Sequence, residues 1–283
     1  MNTAPTTACP SLFIPHGGGP CFFMDWTWGP ADTWDSLEHW LRNVAQRLEI
    51  KPKAILVISA HWEAAEFAVT AQASPPLLYD YHGFPAHTYQ LTYPALGAPK
   101  LAQKVVDLLS AAGLSARLEH QRGLDHGVFI PLKLIYPQAD IPVIQLSLQH
   151  GLDPAIHLAA GKAIASLRDE GVLIMGSGSS YHNMQGSGAA FSVAALRFDT
   201  WLGDAACAAT AEQRTQMLTH WLQAPEARLS HPREEHLLPL MVAAGAAGHA
   251  IGQRIYREPI MEIMLSAYAF GISAVAADHC SQK

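Results

Sequence analysis

Four short apolar runs constrain the fold more than any other feature of the chain: "SLFIP" at 11–15, "AILVISA" at 54–60, "IPVIQLSL" at 141–148 and "GVLIMG" at 171–176. Each has the length and β-branched content of a strand with apolar side chains on both faces. Such a strand must be covered on both sides, and in a parallel sheet the crossover helices do the covering. The intervening segments carry the required periodicity. Trp34, Leu37, Leu41, Val44 and Leu48 recur at helical spacing, and "KLAQKVVDLLSAAG" closes on Gly113 as a C-terminal cap. "LDPAIHLAAGKAIASLRDEG" opens with Asp153 as N-cap and Pro154 at the first helical position, and stops at Gly171. Strand, helix, strand, helix predicts an α/β fold with a central, mostly parallel sheet and helices on both faces. From 190 onward the pattern is largely helical until "IMEIMLSAYAF" at 260–270, which reads as one more strand.

The 283 residues, 49% of them hydrophobic, hold ample material for a core. No repeat, low-complexity segment or Gly/Ser linker divides them, so the reading is a single domain over 1–283 with 1–10 as a loose N-terminal segment. Lys and Arg number 18 against 24 acidic residues and form no basic run, which leaves no electrostatic footprint for nucleic acid or an anionic membrane. The expected partner is a small molecule. "MNTAPTTACP" places no positive residue ahead of an apolar core, so no secretory signal is read and a cytoplasmic location is expected. The apolar stretch 260–277 contains Glu262 and many small residues, and reads as a buried strand with its continuation rather than a membrane span. Cys9, Cys21, Cys207 and Cys280 lack CxxC spacing and are read as reduced or incidental thiols.

Histidine departs from ordinary composition: there are 15, nearly as many as all Lys and Arg together. His16 follows the first apolar run, His61 follows the second, and His182 lies a few residues beyond the fourth. The carboxyl ends of strands in an open α/β sheet line the ligand crevice, so these distant residues should converge on one rim. Convergence suggests a metal site, a catalytic site or both, although each histidine alone is as readily a polar strand end satisfied by backbone groups. "HGGGP" after His16 and "GSGSSYH" before His182 let the backbone pass close to a ligand. "HPREEHLLPL" at 231–240 sets two histidines and two glutamates at the mouth of an apolar helix. It is either a helix entry, with Pro232 as the first helical residue and Glu234 and Glu235 at the positive end of the dipole, or a metal site.

"GLDHGVFIPL" at 123–132 puts His126 beside Asp125. His126 is either an acid/base oriented by the neighbouring carboxylate or an exposed residue in a helix entry capped by Asp125. GxxxxGK[ST], GxSxG and HExxH are absent, so nucleotide binding, serine hydrolysis and helix-borne zinc proteolysis lack their signatures. Two long segments without clear periodicity, 17–31 and 62–98, have the length of functional loops. Tyr79, Tyr81, Phe84, Tyr89 and Tyr93 in the second either wall a substrate pocket or pack the loop onto the domain.

Taken in order, "LFIPHGGGP", "SAHW", "YDYHGFPAHTYQLTYPA", "GLDHGVFIPL", "GSGSSYHNM" and "HPREEHLLPL" closely resemble the LigB-type class III extradiol ring-cleavage dioxygenases, in the 4,5-DOPA dioxygenase-like branch. The resemblance implies a three-layer α/β fold holding a mononuclear non-haem iron(II), and oxygen-dependent opening of a catechol ring beside its two hydroxyls to a semialdehyde. It implies His16, His61 and His236 as metal ligands with Glu235 just outside them. His182 is then an acid/base or, with zinc in the site, a fourth ligand, and His126 contacts substrate or oxygen. Related protocatechuate-cleaving enzymes instead use two histidines and a glutamate. Two further readings of the same residues are a zinc hydrolase or deacetylase with Glu235 as base, and a non-catalytic metal-binding protein on the same scaffold.

Overall fold

Side chains that alternate between two buried faces build the sheet. In β1 (Ser11–Pro15) Leu12 and Ile14 pack on one face and Phe13 on the other, and in β2 (Ala54–Ala64) Ile55 and Val57 oppose Leu56 and Ile58. Both strands are buried on both faces, as their unbroken apolar runs require. The computed structural model describes residues 8–273 apart from 49 and 187. In them β1 and β2 join β3 (Phe67–Thr70), β4 (Ala116–Glu119), β5 (Val143–Gln149), β6 (Val172–Gly178), β7 (Gly252–Ile260) and β8 (Ile263–Phe270) in one sheet of order β4-β3-β5-β2-β6-β1-β8-β7. The centre, β5-β2-β6-β1, is parallel, while β3 and β8 run antiparallel to it, so the sheet is mixed.

Two layers of helices complete the α/β arrangement. One face carries α1 (Asp35–Val44) and α3 (His126–Ile135), which bury Leu37, Leu41, Phe129 and Leu132. The other carries α2 (Pro99–Ala111), α4 (Pro154–Ile164), α5 (Ala189–Ala206), α6 (Ala211–Thr219), the short α7 (Ala227–Ser230) and α8 (Leu238–Ala246). The caps expected for α4 are present: the Asp153 carboxylate accepts from the amides of Ala155 and Ile156, and Gly171 stands at φ +90° after the 3-10 turn that follows the helix. Helix α8 is apolar on every side because it lies between the sheet and α4, and Gly161 and Gly245 let those two helices touch backbone to backbone.

Three expectations change. The run 260–270 is not one strand: Met261 and Glu262, at φ +48° and +66°, form the tight turn of a β7–β8 hairpin. β7 escapes an apolar pattern because Gln253, Arg254, Arg257 and Glu258 stud it. Of the segment 1–10, residues 1–7 lie outside the described residues, whereas Cys9 is not loose but buried, and its carbonyl accepts from the Arg168 side chain. Cys280 and residues 274–277 also lie outside the described residues. No helix among the described residues is long and apolar enough to cross a membrane.

The hairpin is fastened to α5 through Asp199, which is 1% exposed. Its carboxylate accepts from Ser266 Oγ at 2.5 Å and Arg257 Nε at 2.9 Å, and Arg254 Nη1 stands at 3.4 Å. Replacing one partner of a buried charged network strands the others, but here both arginines reach water in part. Asp199→Ala should therefore cost about 2–3 kcal/mol, the low end of the range for such changes. Urea unfolding should show a lower midpoint at unchanged slope.

Candidate functional site

The pairing of β6 with its parallel neighbours β2 and β1 stops at one level, although β2 does not end at residue 60 as the apolar run suggested but runs on beside β5 to Ala64, so that His61 lies within it. Pro15 pairs with Gly178 and Ser59 with Ser177, so His16 and His61 emerge on either side of the end of β6. His61 lies in the register shift between Ile58 and Glu63, where a bulge re-aims a side chain. His236 arrives from the other layer, and not on a helix. α8 begins at Leu238 rather than Pro232, and His236 sits in the preceding turn, closed by the Leu237 amide on the Glu234 carbonyl at 2.8 Å.

That turn is pressed onto β6. The Ser179 amide donates to the His236 carbonyl at 3.0 Å, and a Cβ on Gly178 would stand 2.1 Å from the same oxygen. One on Gly176 would stand 2.3 Å from the Pro239 carbonyl. The glycines of "GSGSSYH" therefore admit the segment that carries His236. In "HGGGP", Gly17 and Gly19 take positive φ and leave room for Cys21, Phe22 and Phe84.

One ring nitrogen from each of His16, His61 and His236 falls within 4.8 Å of the others, and the Nε2 atoms of His16 and His61 are 3.0 Å apart. The hydrogen bonds behind two of these rings, His16 and His236, fix their tautomers. Ser177 Oγ donates to the Gly127 carbonyl, so it accepts from His16 Nδ1 at 3.0 Å. His236 Nδ1 donates to Glu235 Oε1 at 2.8 Å. Both rings therefore carry the proton on Nδ1 and leave the Nε2 lone pair free, the form in which an imidazole binds a metal.

Burial, reinforced by the surrounding histidines, holds the pKa of His16 and of His61 well below the ordinary value and takes His236 down to about 4. Three neutral imidazoles that bind a cation without first losing a proton are the donor set of a divalent transition metal.

Glu235 works from outside the trio. Its Oε1 faces the Nδ1 atoms of both His236 and His182, the latter at 3.2 Å. Burial tends to raise its pKa, but those ring N–H groups prevail and hold the carboxyl well below the usual carboxylate range. His182 lies flat on His236, ring centroids 3.4 Å apart, and remains a third exposed. The other histidine of the segment that carries His236, His231, is far from free: it is buried between Phe198 and Trp221, with Nε2 3.0 Å from the Ser180 carbonyl and a pKa lowered to about 3 by burial.

His126 is also in the cluster. It is buried as the first residue of α3, with its ring centroid 4.0 Å from that of His61. Its expected carboxylate partner is not Asp125. That side chain neither caps the helix nor meets His126; it accepts from Ser59 Oγ at 2.7 Å, from Arg122 at 3.2 Å and from Gln145. Ser59 also accepts from the His61 amide and Arg122 donates to the His61 carbonyl, so Asp125 braces the stretch of β2 that bears His61.

The carboxylate on His126 belongs to Asp80, whose Oδ1 accepts from Nδ1 at 2.7 Å and from the backbone amide at 3.0 Å. Burial would raise the Asp80 pKa, but the His126 hydrogen bonds outweigh it and hold the carboxyl below its ordinary value. Asp80 lies 46 residues before its partner in a long loop, and no local spacing announces it.

The aromatic loop packs chiefly onto itself. The hydroxyls of Tyr79, Tyr81, Tyr89 and Tyr93 donate to the carbonyls of Leu91, Thr88, Tyr81 and Tyr136. Tyr81 alone of these meets the cluster, its ring edge-on to His126 at 5.8 Å.

The motifs and their geometry match a known family over most of the chain: residues 11–275 fit the catalytic LigB subunit of aromatic ring-opening dioxygenases. The chain belongs to that family. Within it the chain is an extradiol ring-cleavage dioxygenase of the branch that contains the 4,5-DOPA dioxygenases. It is 46% identical to 4,5-DOPA dioxygenase extradiol of Beta vulgaris over 75% of this chain and 78% of that one. The protein of the same name from Portulaca grandiflora is 42% identical over 87% and 90%, and the one from Escherichia coli K12 is 34% identical over 85% and 86%. An uncharacterized Escherichia coli K12 protein of solved structure superposes with a TM-score of 0.69 at 29% identity, covering 93% of this chain and 99% of that one. The family implies a metal cofactor, a small-molecule substrate and dioxygen.

Proposed function

We propose that this chain, as one catalytic domain, is an iron(II)-dependent extradiol dioxygenase that opens the ring of a substituted catechol with dioxygen to a semialdehyde. The observation that carries the reading is the convergence of the His16, His61 and His236 ring nitrogens with two further histidines, His126 and His182, against them. His16, His61 and His236 hold the metal. When bound, iron(II) supplies the redox chemistry that lets a singlet catechol react with dioxygen.

The protein's own part is proton management and orientation. His182, its Nδ1 on Glu235, and His126, its Nδ1 on Asp80, each keep Nε2 free to take a proton from a substrate hydroxyl and to return it to the opening product. Ser177 and Glu235 hold the His16 and His236 rings in the metal-binding tautomer. The catechol is suggested by the names of the relatives, and by a cluster whose near wall is the ring edge of Tyr81.

The test is oxygen consumption by protein loaded anaerobically with iron(II), against DOPA, caffeate and simple catechols, with zinc-loaded protein as control because zinc has no accessible redox change. Uptake with iron alone, accompanied by a yellow product, is expected. A tightly metallated protein that consumes no oxygen with any catechol, yet hydrolyses esters or acetamides with zinc, would overturn the reading in favour of a hydrolase.

A further inference from the structure

We propose that Asp80 is a positioning residue for the ring-opening reaction, fixing His126 in the tautomer that presents a basic Nε2 and steadying the imidazolium formed when His126 takes a proton. The inference rests on the acid/base role given to His126 above and adds the group that makes that role work. The residue beside His126 cannot supply this carboxylate, since Asp125 is buried and engaged by Ser59, Arg122 and Gln145. Asp80 Oδ1 instead meets the ring at 2.7 Å and the amide of the same residue at 3.0 Å, so one oxygen fixes both the ring and the backbone that carries it.

A carboxylate at pH 7 only accepts, which places the proton on Nδ1 and leaves Nε2 as the ring's basic nitrogen. With the ring against His61, the transfer is simple: the substrate O–H bond breaks, its electron pair stays on oxygen, and the proton goes to Nε2. The imidazolium then lies between Asp80 and the developing phenolate. The arrangement repeats the logic of a carboxylate behind a catalytic histidine, whose loss leaves the geometry intact but populates the wrong tautomer.

Asp80, His61 and His126 also bring one polar atom each to within 4.8 Å, the spacing of a metal site, so the test separates positioning from ligation. Protein labelled with 15N in its histidine rings and loaded with zinc should show His126 protonated on Nδ1. Asp80→Asn, whose side-chain NH2 can donate to an unprotonated Nδ1 where the carboxylate can only accept, should retain one metal per chain but lose the dominance of that tautomer. With iron(II) its kcat should fall about 100-fold or more while KM changes little, and Asp80→Glu should restore part of the loss.

A wild-type His126 carrying its proton on Nε2 would overturn the proposal, even if the variants fail to fold. So would loss of bound metal in Asp80→Asn, which would make Asp80 part of the metal site. His126→Ala locates any failure. If it lowers kcat and Asp80→Asn does not, the role of Asp80 falls alone; if it leaves kcat unchanged, the acid/base reading of His126 falls and takes this one with it.

Discussion

His16→Ala and His61→Ala should each give a folded protein that binds no iron and consumes no oxygen. The expected loss exceeds the 10- to 100-fold in metal affinity that changes behind a ligand typically cost, because each substitution removes one of three converging ring nitrogens outright. The fold should survive. His16 follows β1 and His61 lies within the register shift of β2, both on strands already secured by register pairing, and burial together with the neighbouring histidines disfavours their charged forms.

Each variant loses one neutral ring, and His16→Ala also its hydrogen bond to Ser177, so the metal-free variants should melt slightly below the metal-free parent while remaining folded. Ser177→Ala makes the contrast: it keeps all three rings but frees His16 Nδ1, and should weaken iron binding by about 10- to 100-fold without abolishing it. Metal analysis after dialysis, an oxygen electrode and a thermal melt suffice. Stoichiometric iron in either alanine variant would remove His16 or His61 from the metal site.

These residues were legible from sequence for a definite reason. An apolar run that gives way to histidine names a strand and the level at which it leaves the core, although β2 itself runs on past His61 to Ala64, and the crevice rule for parallel sheets then brings these distant positions together. His16, His61 and His182 were found this way, and the central strands with them. His236 was legible as a residue type but not as a position: the expected helix from Pro232 is a turn, because the carbonyl that meets β6 belongs to His236 itself.

The pairing of His126 with Asp125 failed for a related reason. Adjacent side chains on an extended N-cap and a first helical residue point apart, so the carboxylate had to come from another loop. β3 and β4, four residues each, and β7 with its charged face carry no periodic signal strong enough to be read. The aromatic loop was ambiguous by nature. Tyrosine serves a pocket and a packed loop equally well, and only the hydroxyl partners show that most of these rings serve the loop.

Gly178→Ala should disable the enzyme almost as completely as loss of a ligand, although it touches no side chain of the site. The added Cβ would meet the His236 carbonyl oxygen at 2.1 Å and its carbon at 3.1 Å. Both are backbone atoms held by the Ser179 amide and by the turn that starts α8, so nothing flexible can give way. The 231–237 loop must move off β6 and carry the His236 ring with it. Overpacking of this kind costs about 1–3 kcal/mol, which a fold of this size can absorb.

The site cannot absorb the same movement, since a displacement of about 1 Å can cost on the order of 100-fold in a geometry-dependent reaction, and metal ligands tolerate about 0.2 Å. The expected variant is therefore folded, weakly metallated and close to inactive. Gly113→Ala provides the comparison: at φ +79° with nothing within 4 Å of a Cβ, it should lose about 1–2 kcal/mol of stability and no metal. If Gly178→Ala binds iron like the parent while losing the same stability as Gly113→Ala, then contact with β6 does not position His236, and the loop that bears it is held by the Arg233–Glu63 pair on the exposed side instead.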